Sequence, residues 1–390
     1  MVHNDVDVVI GGGVSLLSEA DEAYLKASGY GVYRNDITGM RTHTGDRMGV
    51  LFGERDMAYD IDRDPAKEPS LEEMTRIAIE KLSKNEQGFF LMVEGSKVDW
   101  AAHANDPVGT ITDFLAFDKA CGVALDFARR NGETAVVIVP DHGTGGISLG
   151  RRDCSNYDRM TMAEHFHAIA QVKLTAEGFA KKLNEEPATA IQQVFHEYAG
   201  FELTEEELQA IYQCRDYRNS PIPAAERSNR DVSPALYSSS LSGFVAKLIT
   251  SKTCIGFTTG GHTGEEVFLA AYHPEDTRPM GMITNVELNH YLAAMMGISG
   301  QLDVLTDSCF VPHQEVFKEF EYEIRPPTDE KVNPTLVVKK NNNRLIIEPY
   351  TNMALSTEKR ELWIKLSSVV VYVDANETFY LPRSLADYLK

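Results

Sequence analysis

The chain has 390 residues, 38 of them basic and 58 acidic, for a net charge of -20, and 43% of its residues are hydrophobic. That length exceeds the usual reach of a single core, so one large domain with insertions, or two domains, is expected. So acidic a chain repels phosphate backbones, which argues against nucleic-acid binding as its task. A phosphate-processing site in it would need local positive charge, and bound metal ions are one source. No run of about 18 apolar residues occurs, so no membrane span is expected. The opening MVHNDVDVVIGGG lacks the basic start and long apolar region of a signal peptide.

Five cysteines, Cys121, Cys154, Cys214, Cys254 and Cys309, are widely and irregularly spaced. Without a Cys-x-x-Cys pair, a thiolate zinc site is not expected, and the odd count excludes complete internal pairing. Scattered buried thiols are the expectation.

In chain order, Val6–Ile10 reads as a short buried strand running into the Gly11-Gly12-Gly13 turn, and Ala20–Ser28 as a helix. Gly49–Phe52 is a short apolar segment ahead of the acidic loop Asp56–Asp64. Ser70 with Glu73 fits a capping box, and Met74, Ile77, Ala78 and Leu82 form a helical apolar stripe. Phe89–Val93 is continuously apolar, as a buried parallel strand would be, and ends at Glu94-Gly95. A long helical pattern follows from about Val108 to Arg130, closed by Gly132. The next apolar run, Ala135–Val139, ends at Pro140-Asp141-His142-Gly143. This strand–helix–strand order predicts a right-handed crossover in a mostly parallel sheet. Ligands bind beyond the carboxyl ends of such strands, where Glu94 and Asp141-His142 lie.

Residues 151–254 change character. They are polar and helix-rich, with helix candidates at Ala163–Val172, Ala176–Leu183, Ala188–Tyr198 and Glu205–Arg215, and read as a helical insertion. Cys254–Phe257 then returns to strand-like composition and leads into Gly260-Gly261-His262-Thr263-Gly264-Glu265. Val267–Tyr272 reads as a strand and Asn285–Met296 as a helix. From about Pro327, Leu336–Lys339, Arg344–Glu348, Glu361–Leu366 and Val369–Val373 read as strands of a small β module, with Asn341-Asn342-Asn343 as a hairpin turn.

Asp99 and His103 are four apart and share one helix face, a ready zinc pair that is common by chance. Asp141 and His142 follow a strand directly. The glycines around His262 permit close approach to a ligand. A carboxylate at a strand end, as at Glu94, costs free energy unless it is paired or metal-bound. As a set, three histidines and three carboxylates at loop ends suit zinc, with an oxygen-rich neighbour suiting magnesium. Two adjacent metals can clamp the attacking and leaving oxygens of a phosphoryl displacement.

Several segments resemble the alkaline phosphatase family: Asn85-Glu86-Gln87-Gly88-Phe89-Phe90-Leu91-Met92-Val93-Glu94-Gly95, Val98-Asp99, His103-Ala104-Asn105-Asp106-Pro107, Pro140-Asp141-His142-Gly143 and His262-Thr263-Gly264-Glu265. The likeness runs from about Asp5 to Ser299, interrupted by the insertion. It implies an α/β fold with a mostly parallel sheet flanked by helices, incomplete at its amino-terminal side. Residues 1–150 and 255–300 would form the metal-binding core, 151–254 a helical lid or interface, and 327–390 a β-rich accessory module.

The same likeness implies that Asp99, His103 and His262 hold a first zinc, Asp141 and His142 a second zinc, and Glu94 a magnesium. Trp100 stands where some members carry a basic residue. The implied reaction is phosphate-monoester hydrolysis, by a homodimer working in the periplasm or outside the cell. One departure is large. The family's Ser nucleophile, in an Asp-Ser-Ala type motif, and its phosphate-clamping Arg have no matching position, so no catalytic residue is assigned and a truncated form is expected. Thr306-Asp307-Ser308 resembles the nucleophile motif only superficially, since it follows the last zinc ligand and precedes Cys309-Phe310. The alternatives are a non-catalytic metal-binding chain and one half of a two-piece phosphatase. A phosphodiesterase or metal-dependent phosphomutase of the same superfamily is a further reading, against which the Val-Glu-Gly and His-Thr-Gly-Glu motifs argue.

Overall fold

A computed structural model describes residues 2, 4–154, 157–219, 240–328, 333–341, 343–357 and 362–389. It forms two compact units, Val8–Glu22 with Lys26–Thr277, and Met1–Asp7 with Ala23–Leu25 and Arg278–Lys390. The architecture is α/β, and among the described residues no helix is long and apolar enough to cross a membrane.

The larger unit opens on three parallel strands, β1 (Val8–Gly12), β2 (Gly31–Arg34) and β3 (Met48–Phe52), in spatial order β1-β3-β2. Parallel strands need crossover connections, supplied by α1 (Glu19–Ala27) and α2 (Ile37–Thr42). The alternation of β3 buries Met48, Val50 and Phe52 completely, and Met40 and Ile77 complete that core. Ile77 comes from α3 (Leu71–Leu82), which starts where the Ser70 side chain accepts from the Glu73 N–H at 3.1 Å.

Next come α4 (Ser96–His103) and α5 (Pro107–Asn131). Asp106 caps α5 by accepting from the Val108 and Gly109 amides, Pro107 occupies the first turn, and Gly132 ends the helix at φ 75°. Beyond α5 lie β4 (Val136–Ile138) and β5 (Gly143–Thr144), then the helical insertion with α6 (Met162–Gln171), α7 (Ala176–Glu185), α8 (Ile191–Ala199), α9 (Glu205–Asn219) and α10 (Leu241–Ser251). Phe179, Leu183, Ile191 and Phe195 are fully buried there, and the Phe179 and Phe195 rings stack 5.0 Å apart. Val108 of α5 joins this core. After the insertion, β6 (His262–Thr263) pairs antiparallel with β5, and β7 (Ala270–Tyr272) pairs antiparallel with β4.

The expected strand Phe89–Val93 differs. Among the described residues it joins no sheet, so the expected crossover through α5 closes no parallel pair there; the parallel pairing lies in β1-β3-β2. Phe90 and Met92 are 76% and 73% exposed. Apolar composition favours a strand, but only a ladder partner satisfies its backbone groups.

The smaller unit contains helices at Asn285–Met295 and Leu302–Cys309 and two antiparallel sheets. One joins β8 (Val311–Pro312) to a later hairpin. The other is built from β9 (Glu321–Arg325), β10 (Thr335–Lys340), β11 (Asn343–Ile347), β12 (Met353–Ser356) and β13 (Leu362–Lys365), in order β13-β12-β11-β10-β9. The later hairpin is β14 (Val371–Val373) with β15 (Thr378–Leu381). Leu336, Val338, Leu345 and Ile347 face a shared core with Phe379 and Leu381. The ladder of β10 and β11 ends at Lys340 opposite Asn343, and Asn341 takes a left-handed φ of 55° at the expected turn. Asn342 of that turn, Glu361 of an expected strand and residues 220–239 of the insertion lie outside the described residues.

Candidate metal centre

The site is assembled by a helix and a short ribbon. Asp99 and His103 sit one turn apart on α4, with Asp99 Oδ2 3.4 Å from His103 Nε2. His262 comes from β6. One ligand atom each from Asp99, His103 and His262 lies within 4.8 Å of the others, the only such three-residue His/Cys/Asp/Glu group among the described residues. These side chains are partly or largely exposed, so the geometry is not forced by burial.

Hydrogen bonds engage the Nδ1 atoms of His103 and His142. His103 Nδ1 lies 2.7 Å from the Gly260 carbonyl, which can only accept, so Nδ1 donates there and Nε2 is the nitrogen that faces Asp99. Thr144 Oγ1 donates its single proton to Asp99 Oδ1 at 2.6 Å. His142 Nδ1, 3.2 Å from the same hydroxyl, must then donate to it. His142 Nε2 lies on the other side of the ring, 3.2 Å from Asp141 Oδ2. The chain His142–Thr144–Asp99 therefore orients a histidine and a carboxylate together, as partners behind metal ligands do. The His142 and His262 rings stack at 3.5 Å between centroids, and His103 lies 5.1 Å from His262.

Backbone proximity is part of the same construction. A side chain at Gly143 would meet Glu265 Oε1 at 2.4 Å and Thr263 Oγ1 at 2.5 Å. Thr263 donates to Glu265 at 2.6 Å, which holds that carboxyl below its usual range. Gly145, at φ 75°, lies so close to the Ala102 carbonyl of α4 that a Cβ would stand 2.7 Å from its oxygen. Glycine is thus required where the ribbon crosses the helix.

Of the six residues expected from sequence, Asp99, His103 and His262 converge, and His142 stacks on that group with Asp141 beside it. Glu94 is exposed, just ahead of the α4 N-cap Gly95, and does not join the group. Sequence reasoning missed Thr144; its signal was its place two residues beyond His142 in Asp141-His142-Gly143-Thr144. It also missed Lys97, which ion-pairs with Asp56 and stands 4.3 Å over the Trp100 ring and 4.5 Å over Tyr59. Trp100 thus has a cation on its face, although it is not itself basic.

The expectation of scattered free thiols is corrected. Cys154 and Cys254 form a disulfide with Cα atoms 5.5 Å apart, while Cys121, Cys214 and Cys309 are free. Spacing could not show this, because the folded insertion brings its own two ends together.

A family model described as alkaline phosphatase matches residues 1–298. The chain belongs to the alkaline phosphatase family. Alkaline phosphatase 4 of Bacillus subtilis is 33% identical over 285 residues, covering 72% of this chain and 56% of that protein. Alkaline phosphatase 3 of the same organism is 32% identical over 290 residues, with 73% and 56% covered. Among solved structures, a cold-active alkaline phosphatase from a psychrophilic Shewanella species superposes with a TM-score of 0.56 at 27% identity, covering 69% of this chain and 60% of that one. The chain spans about half the length of the curated relatives it matches.

Proposed function

We propose that the chain provides the metal-holding part of a phosphate-monoester hydrolase site. The observation that carries this reading is the convergence of Asp99, His103 and His262 ligand atoms within 4.8 Å, from a helix and a separate ribbon. The donor set fits zinc: one carboxylate with two imidazoles, of which His103 has its Nδ1 engaged by the Gly260 carbonyl and its Nε2 turned towards Asp99. Asp99, His103 and His262 would hold a first zinc, Asp141 and His142 a second, and Glu94 a magnesium. When bound, such ions act as Lewis acids on phosphoryl oxygens and lower the pKa of bound water.

The chain's own residues supply orientation. Thr144 fixes Asp99 and His142 against each other, and the Gly260 carbonyl fixes His103. No Ser of the family's nucleophile motif is matched. Ser308 donates back to the Leu305 carbonyl of its own helix, as a helical serine ordinarily does. The isolated chain is therefore expected to bind zinc and to turn over a generic aryl phosphate poorly or not at all. Assay of purified chain with that substrate tests this; strong turnover that is lost in His262→Ala would overturn it.

A second reading, one half of a two-piece phosphatase, is favoured by the exposed apolar segment containing Phe90 and Met92, which joins no sheet among the described residues. Mixing the chain with a polypeptide carrying the family's nucleophile segment should then create turnover that neither piece has. No turnover on mixing would count against it.

In this reading, residues 1–150 and 255–300 form the metal-binding core, 151–254 a lid or interface, and 327–390 an accessory module. A homodimer acting in the periplasm or outside the cell remains part of the proposal. The Cys154–Cys254 bond supports the location, since disulfides persist in oxidising compartments.

A further inference from the structure

The disulfide stands at one end of the ribbon whose other end carries two proposed ligands. From the site outward, Gly143 pairs with Thr263 and Thr144 with His262. The Gly145 N–H then donates to the Gly261 carbonyl at 2.9 Å, and the Thr258 N–H donates to the Gly145 carbonyl at 2.9 Å. Ser148 and Gly256 exchange both backbone bonds, at 2.9 and 2.8 Å. The Arg151 N–H donates to the Cys254 carbonyl at 2.7 Å, and the Arg151 guanidinium donates to the Thr250 carbonyl at 2.7 Å. Cys154–Cys254 closes the ladder.

His142 adjoins one strand of this ribbon and His262 lies on the other. Their ring stacking therefore depends on the two strands staying in register. The ribbon has few ladder bonds of its own and includes several glycines, so it is prone to fray from an open end. The helices of the insertion do not depend on the bond for a core, because Phe179, Leu183, Ile191 and Phe195 already bury one. The geometry points to a positioning role: we propose that the Cys154–Cys254 disulfide holds the ribbon in register and so preorganises His142 and His262 for metal. Reduction by a dithiol would transfer two electrons and two protons, leaving two thiols here and a disulfide on the dithiol. The reduced chain would then bind metal more weakly.

This rests on the proposed metal reading. The test is zinc affinity, measured by competition with a chromophoric chelator on full-length wild type and on C154A/C254A, with C121A/C309A as the control. Expected is a loss of zinc affinity of about tenfold or more in C154A/C254A, the range seen when groups behind metal ligands are removed, with the control unchanged. Hydrogen exchange should show loss of protection at the amides of Gly145, Ser148 and Gly256, and retained protection in α7 and α8. Equal, tight zinc binding by wild type and C154A/C254A would overturn the inference and leave the metal reading intact. Absence of zinc binding in both would overturn the two together. Should C154A/C254A fail to fold, wild type reduced with a phosphine and alkylated takes its place, and unchanged affinity there would equally overturn the inference.

Discussion

In the helical insertion, Phe179, Leu183, Ile191 and Phe195 are fully buried and stack or interdigitate. In the same unit, Asp141, His103 and His262 stay exposed, and the segment Phe89–Val93 leaves Phe90 and Met92 in solvent. The insertion is held by apolar area, which needs no particular partner chemistry. The loops that carry the proposed ligands are held by a ladder, a threonine relay and glycines that permit close approach. Stability and chemistry are therefore carried by separate residues, and substitutions in one region should leave the other's property untouched.

The largest effect separates the two regions on the stability side. Phe179→Ala removes a fully buried ring stacked on Phe195 and should destabilise the chain by about 3–5 kcal/mol in denaturant unfolding. Its zinc affinity, measured under folded conditions, should match wild type. A parallel loss of zinc binding would show that the insertion core sets the ligand geometry.

A second test concerns the buried acids where α5 meets the insertion and the acidic loop. Burial is the main reason that Asp113 is pushed up to about 7 and Asp106 to about 6. Asp113 Oδ1 accepts from the Asp60 N–H, while its other oxygen is buried without a partner. Because the folded pKa lies above the unfolded value of 3.8, the folded state binds the extra proton between about 4 and 7. Stability should fall as pH rises through that window and level off above it. Asp113→Asn should therefore be more stable than wild type at pH 8, by roughly 1 kcal/mol, with the gain shrinking towards pH 4. A gain that does not vary with pH would contradict the assignment.

These differences also show what the sequence could convey. Local signals were legible: Ser70 capped α3 as expected, although the Glu73 side chain pairs with Arg41 and does not complete the capping box, Gly132 closed α5, and apolar runs marked β10 and β11. The metal-ligand candidates were legible as residue types at loop ends, and Asp99, His103 and His262 do converge. Pairing was not legible. Phe89–Val93 has a strand's composition but no ladder among the described residues, and β4 takes an antiparallel partner from beyond the insertion. The edge strand β9 was missed because Glu321, Glu323 and Arg325 give it a polar face. Thr144 was missed because a hydroxyl relay depends on three side chains meeting, which spacing does not reveal.

A smaller effect should come from the exposed apolar segment. Phe90→Ser with Met92→Ser should reduce aggregation measured by light scattering, while changing unfolding free energy by only about 0.5 kcal/mol. A large destabilisation would mean that the two side chains pack more closely than their exposure indicates. The smallest effect belongs to Ser308→Ala, where removal of a helix-internal hydroxyl should leave zinc affinity and any residual aryl-phosphate turnover at wild-type values. A turnover loss confined to that variant would restore Ser308 as a nucleophile candidate.

The most direct test of the central claim is zinc titration of the intact chain beside His103→Ala and His262→Ala. The account predicts zinc binding by wild type and loss of the site held by Asp99, His103 and His262 in both variants, with the metal-free folds preserved by circular dichroism. Unchanged zinc stoichiometry and affinity in the two variants would contradict it.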